Sequence, residues 1–166
     1  MTRIAYLGYG ADERYWKAAQ ELFVGVAQQL HLAPWMTALR VADDLEPALA
    51  AVAKLHPDAL VVSSAPLLQA QTEKIAAFAI RERLLTSTFS PLMVHRGLLL
   101  AYHADFHSEI ERVAAIVDKV LRGAKPAEIP VEQPTKFDLS INLKTALAIS
   151  LDIPTSLRTR ADDLIQ

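Results

Sequence analysis

The chain has 166 residues, 52% of them hydrophobic, with 17 Lys and Arg against 19 Asp and Glu, five His and no Cys. A net charge of −2 without a clustered basic stripe argues against a nucleic-acid footprint, and the lack of cysteine excludes disulfides, thiolate catalysis and cysteine-ligated metals. The length predicts one domain with a real core, and no apolar run approaches the roughly 20 residues of a membrane span.

The elements alternate in type along the chain. Arg3–Gly8 reads as a buried strand, followed by a helix from about Asp12 to Leu30 with Trp16, Ala19, Phe23, Val26 and Leu30 on one stripe at helical spacing. Met36–Val41 predicts a second strand. The helix after it has Asp43 or Asp44 as N-cap and Pro47 in its first turn, where proline is tolerated. Asp58–Ser64 is uniformly apolar before its serines, as central parallel strands tend to be. A helix over Leu67–Arg83 turns Leu68, Ile75, Phe78 and Ala79 inward. Leu84–Phe89 and Gly97–His103 predict two further strands.

Ile110, Val113, Val117, Val120 and Leu121 then mark an amphipathic helix, ended by Gly123 with Pro126 just beyond. Residues 124–136 hold three prolines and several charges and read as an extended, hinge-like crossing. One more strand, "FDLSIN", one more helix, "LKTALAIS", and a terminal helix from about Pro154 complete the chain. The division is therefore a lobe over 1–123, a crossing over 124–136 and a closing segment over 137–166. The pattern predicts an α/β fold of three layers, a mostly parallel sheet flanked by helices, with ligands taken outside the carboxyl ends of the strands.

The chemistry-bearing residues are few. "GYG" at Gly8–Gly10 follows the first strand, but Glu13 stands where a dinucleotide fingerprint needs its third glycine, so the expected role is a turn that lets backbone approach a ligand. His103 and His107 are four apart, with a helix start predicted between them and no third ligand, so no metal is expected. Ser63 and Ser64 end the third strand without a G-x-S-x-G elbow, and read either as a cap before Pro66 and Leu67 or as hydroxyls at a pocket rim. Asp105 is expected as the N-cap of the Ile110 helix and as a carboxylate facing a cleft, able to hold an amine. Tyr9, Phe89 and Tyr102 at strand ends predict aromatic pocket walls. No acid pair, nucleophile–base set or phosphate loop can be assembled, so neither catalysis nor a cofactor is expected.

The run from Val117 to Ile165, "VDKVLRGAKPAEIPVEQPTKFDLSINLKTALAISLDIPTSLRTRADDLI", closely resembles the end of the bacterial ABC-transporter substrate-binding protein family, of the tryptophan- and tyrosine-binding lipoprotein type. "PVEQPTKF", "INLKTA" and "IPTSLRTRAD" carry the resemblance, and "AYHAD" keeps Tyr102 and Asp105 of the family's "S-Y-G-x-D" while replacing its glycine with His103. The earlier part, Thr2 to Tyr102, is similar in layout only. The resemblance implies one flavodoxin-like lobe of a two-lobed type I periplasmic-binding-protein fold. It also implies a small solute such as an amino acid as ligand, an ABC permease as partner, and a periplasmic or lipid-anchored location. The chain goes straight into a strand without a leader, which leaves a cytoplasmic location open. Half a clamp implies either a missing N-terminal lobe or a homodimer that replaces it, and the apolar surplus fits a covered surface. The alternatives are a self-associating lobe with a sensing or structural role and a small cytoplasmic flavodoxin-like enzyme.

Overall fold

The computed structural model describes residues 2–166. Strand β1 (Arg3–Tyr9) leads into helix α1 (Glu13–Gln29), and β2 (Ala33–Leu39) into a 3-10 turn (Ala42–Asp44) and α2 (Leu45–Leu55). Then come β3 (Ala59–Val62), α3 (Pro66–Ala70), α4 (Thr72–Arg81), β4 (Leu85–Thr88), α5 (Pro91–His95), β5 (Leu100–Ala104) and α6 (Phe106–Leu121). A 3-10 turn (Pro126–Glu128) precedes β6 (Phe137–Asn142), α7 (Leu143–Ala148), α8 (Thr155–Arg160) and β7 (Asp163–Ile165). The seven strands form one sheet in the order β2-β1-β3-β4-β5-β6-β7. All neighbours are parallel except β5 and β6, where Leu100 faces Ile141 and Ala104 faces Phe137 in an antiparallel ladder. This is the expected α/β sheet flanked by helices.

One face of the sheet is dry. Leu7, Leu60 and Val62 pack there with Leu45, Leu49, Val52, Leu68, Ile75 and Phe78 of α2, α3 and α4. The opposite face carries α1, whose Trp16 and Phe23 lie 6.3 and 5.1 Å from the Tyr6 ring. A second cluster of Leu99, Ile141, Ala146, Ile149 and Ile153 closes the far end. Asn142 anchors it, donating to the Val94 carbonyl at 2.9 Å and accepting the Thr145 N–H at 3.0 Å as the cap of α7.

Several expectations are corrected. Helix α1 buries Ala27, while Val26 and Leu30 of the expected stripe are exposed, because its inward face runs through Trp16, Ala19, Phe23 and Ala27. Asp44 holds the N-cap position of α2, as one of the two expected caps, but its side chain makes no capping hydrogen bond there. Its carboxylate reaches back to the N–H groups of Arg40 (2.7 Å) and Val41 (3.1 Å), which holds the acid below its usual range. The expected Leu67–Arg83 helix is broken at Gln71, where the Thr72 hydroxyl takes the carbonyls of Gln69 (2.8 Å) and Leu68 (3.3 Å). Helix α5 and strand β7 are additions that short, weakly periodic runs did not signal.

The largest departure is α6. Phe106, Ile110, Val113, Val117 and Val120 recur at spacings of four and three, as on a helix that packs on something. Yet none of its 16 residues is buried, and Phe106 is 72% exposed. The helix leaves the sheet after β5, and the chain returns at β6 beside its point of departure. Arg112 holds Glu132 of the returning segment at 3.0 Å, so the excursion is fastened to itself.

Candidate functional site

The carboxyl ends of β1 and β3 border a hollow of about 330 Å³ lined by Tyr9, Asp12, Tyr15, Ser64, Ala65 and Pro66. Each wall follows from local chemistry. Asp12 caps α1, its Oδ1 accepting the N–H groups of Arg14 and Tyr15 at 2.9 and 3.0 Å. That cap fixes the first turn of α1 over the sheet edge, so Tyr15 projects across the end of β1 toward β3. There its hydroxyl lies 3.2 Å from Ser63 Oγ. Ser63 is buried, its N–H donates to the Leu7 carbonyl at 3.0 Å, and its Oγ accepts the Ala65 N–H at 3.3 Å, which shapes the turn into α3.

The phenol of Tyr6 sits beneath this group. Burial, and next the neighbouring Tyr15 phenol, push its pKa up to about 12. The Tyr6 phenol under the hollow therefore stays protonated at physiological pH and does not act as a base. Gly8 permits the arrangement: a Cβ there would meet Tyr6 Cε1 at 2.5 Å and Trp16 Cζ3 at 2.7 Å. Gly8 lies inside β1, and what approaches it is two aromatic rings, not a ligand as the "GYG" turn led us to expect.

Of the six residues singled out from sequence, Tyr9 and Ser64 line the hollow and Ser63 supports it. The other three lie elsewhere on the sheet. Phe89, just past β4, is exposed, and Tyr102 on β5 stacks on Phe137 with centroids 5.4 Å apart, also exposed. Asp105 does cap α6, accepting the His107 N–H at 3.2 Å. Its other oxygen is occupied by the Ser108 hydroxyl and the Lys136 ammonium, each at 2.7 Å, and those two donors hold the acid well below the usual carboxylate range. A carboxylate so engaged has to release Lys136 before it can hold an amine.

Asp12 and Tyr15 were missed. Asp12 was read only as a helix start, and Tyr15 falls off the apolar stripe used to orient α1. An acidic cap with an aromatic residue three positions on, directly after a strand, was the available signal. His103 rests its ring nitrogens against the Ala104 carbonyl (3.0 Å) and Ser140 Oγ (3.3 Å). Among the described residues, no group of three or more His, Asp or Glu has metal-binding geometry.

The family model described as ABC transporter substrate binding protein matches residues 7–165. No curated protein matches the chain. Among solved structures, a conserved domain protein from Vibrio cholerae superposes with a TM-score of 0.86 at 18% identity, covering 98% of this chain and 54% of its own. An ABC domain in complex with L-Trp from Streptococcus pneumoniae gives 0.86 at 21% identity, covering 99% and 55%. A substrate binding protein with adhesive properties from Clostridium difficile, ligand-free and open, gives 0.79 at 12%, covering 99% and 54%. The likeness is one of fold, and the chain spans about half the length of each.

Proposed function

The chain belongs to the ABC transporter substrate binding protein family, and on that premise we propose that it serves an ABC-type importer as the solute-binding component or a single-lobe relative of it. Its task is to bind a small amino-acid-like solute and present it to a permease, without catalysis. The observation that carries this reading is the hollow at the carboxyl ends of β1 and β3, where ligands of parallel α/β sheets bind. Asp12 supplies a carboxylate for an amino group, Tyr9 and Tyr15 supply aromatic walls, and Ser64 supplies a hydroxyl. The bound L-Trp of the Streptococcus pneumoniae structure supports an amino acid with an aromatic side chain. Phe89 and Tyr102, farther along the same edge, extend the binding surface once a second wall closes over it, and Asp105 joins them only if closure draws Lys136 away.

The hollow is open on one side, so closure needs that second wall. We propose that residues 105–136 reach toward it, a longer inter-lobe segment than the Pro-rich 124–136 crossing expected from sequence. The support is the exposed apolar stripe of α6 and its departure from the sheet. A first lobe of the same clamp is the favoured wall. A second copy seated on α6 is the other reading, and loss of self-association in Val113→Lys would support it. Family members are typically periplasmic or lipid-anchored, and we propose that setting here. Among the described residues, no helix is long and apolar enough to cross a membrane.

The test is a thermal-shift series with L-tryptophan, L-tyrosine, L-leucine and small carboxylates on the wild type and Asp12→Asn. A solute at about 100 times its Kd stabilises by about 2.7 kcal/mol. One or more amino acids should raise Tm in the wild type, with a smaller shift in Asp12→Asn. Equal Tm values with and without every solute, in both proteins, would overturn the reading.

A further inference from the structure

The sheet edge formed by β2 is shaped for a partner strand. Ala33 donates its N–H to the Thr2 carbonyl and Leu39 accepts from the Gly10 N–H, so residues 33, 35, 37 and 39 turn their backbone groups toward β1. By alternation, Pro34, Met36 and Ala38 turn theirs outward. Pro34 has no N–H to offer. At the other end, the next outward N–H, that of Arg40, is already taken by Asp44 at 2.7 Å. The unpaired edge is thus a short window whose backbone donors are Met36 and Ala38, terminated on both sides.

That window opens into a groove of about 570 Å³, bounded by Trp16 and Gln20 of α1, by Pro47, Ala48 and Ala51 of α2, and at its end by the charged Arg40 and Asp44. Gly10 lets the chain pass close by, since a Cβ there would meet Ala38 Cβ at 2.8 Å. The strand "APWMTAL" carries no charge from Ala33 to Leu39, although exposed edges are ordinarily guarded by charged side chains.

We propose that this edge pairs with β2 of a second copy of the chain, antiparallel about a two-fold axis at Thr37. In that register Met36 faces Ala38 of the second copy, and each exchanges N–H and carbonyl with the other, so every donor in the window is satisfied. The flanking positions, Pro34 and Arg40, then face each other, and neither has an N–H to leave unpaired. This self-complementarity, in which the end blocked by Pro34 meets the end blocked by the Arg40–Asp44 hydrogen bond, favours a second copy over an unrelated strand. The small residues on α2 leave room for the flanking helix of the second copy to approach. The contact is separate from the solute hollow and from α6, and does not rest on the proposed function.

Sedimentation velocity on the full chain, over a wide concentration range, tests it. Met36→Pro removes an outward donor while leaving the β1 ladder intact, because the Met36 N–H does not point toward β1. Dimerisation is expected in the wild type and in Met36→Leu, with at least a tenfold weaker association in Met36→Pro of unchanged circular dichroism. Should Met36→Pro fail to fold, Pro47→Glu at the exposed groove wall sets like charges across the axis and is expected to weaken the dimer similarly. A wild type that stays monomeric would overturn the proposal. So would a dimer unaffected by the β2-edge variants but lost in Val113→Lys on α6.

Discussion

Asp105 and Lys136 close the neck of the α6 excursion twice. The Lys136 ammonium lies 2.7 Å from Asp105 Oδ2, and the Asp105 N–H donates to the Lys136 carbonyl at 3.1 Å. Between these two residues the chain leaves the sheet, forms α6 and comes back, so the pair ties down the two ends of a 31-residue separation.

The clasp predicts a pH dependence whose sign follows from both partners. Asp105 is held below the usual carboxylate range of about 3.9, so its contribution to stability is whole above about pH 4 and disappears as the pH falls toward its folded value. Lys136 is held above its usual value of about 10.4, so its share is present below that pH and disappears as the pH rises through its folded value. Thermal denaturation of Asp105→Asn between pH 3 and 7 should show a shallower acid-side loss of Tm than wild type. Identical pH profiles for the two would show that the clasp contributes nothing.

Gly8→Ala should destabilise the fold by about 1–3 kcal/mol, the usual cost of overpacking, because Tyr6 and Trp16 occupy the space a methyl needs. Urea denaturation measures it. The same variant should weaken solute binding if the hollow is the site, since displacing Trp16 shifts the first turn of α1, which carries Tyr15.

Helix α6 should add little to the stability of the sheet. Replacing Val113 and Val117 together by Ser is expected to change unfolding free energy by no more than about 0.5 kcal/mol, as surface positions do. Leu60→Ala, at a fully buried site on β3, should cost about 2–5 kcal/mol by leaving a cavity. A large loss in the α6 double variant would mean that its apolar face is covered in solution.

Asn142→Ala should cost about 0.5–2 kcal/mol, since it strips the cap from α7 and removes one of the two donors to the Val94 carbonyl, which keeps the Gly97 N–H at 3.0 Å. Hydrogen exchange should show α7 and α5 opening first in this variant. Uniform exchange rates across the chain would contradict a local role.

Periodicity made the sheet legible. The run "ALVV" announces a strand because a buried strand must be apolar over a short length, "FDLSIN" announces one by alternating apolar and polar residues, and Leu68, Ile75, Phe78 and Ala79 announce an inward helical face because they recur at its pitch. All four are buried, although the helix carrying them is split. The close resemblance of the tail pointed to the family that the match over residues 7–165 shows. The candidate site was legible in part: a sheet edge was expected, and Tyr9 and Ser64 lie on it, but the hydrogen bonds that built it cross long stretches of chain. Tyr15 meets Ser63 across 48 residues, a pairing no local pattern encodes.

By itself the sequence determined the alternation of elements, the apolar layer between them and the absence of thiol chemistry, all of which follow from side-chain type and spacing. Only the tertiary structure decided that β6 runs antiparallel, that Asp105 is spent on Lys136 while Asp12 stands in the hollow, and that α6 turns its apolar stripe away from the sheet. An amphipathic pattern states that a face will be covered. What covers it depends on where the chain goes next, and here the strands on either side of α6 pair with each other and leave the helix outside.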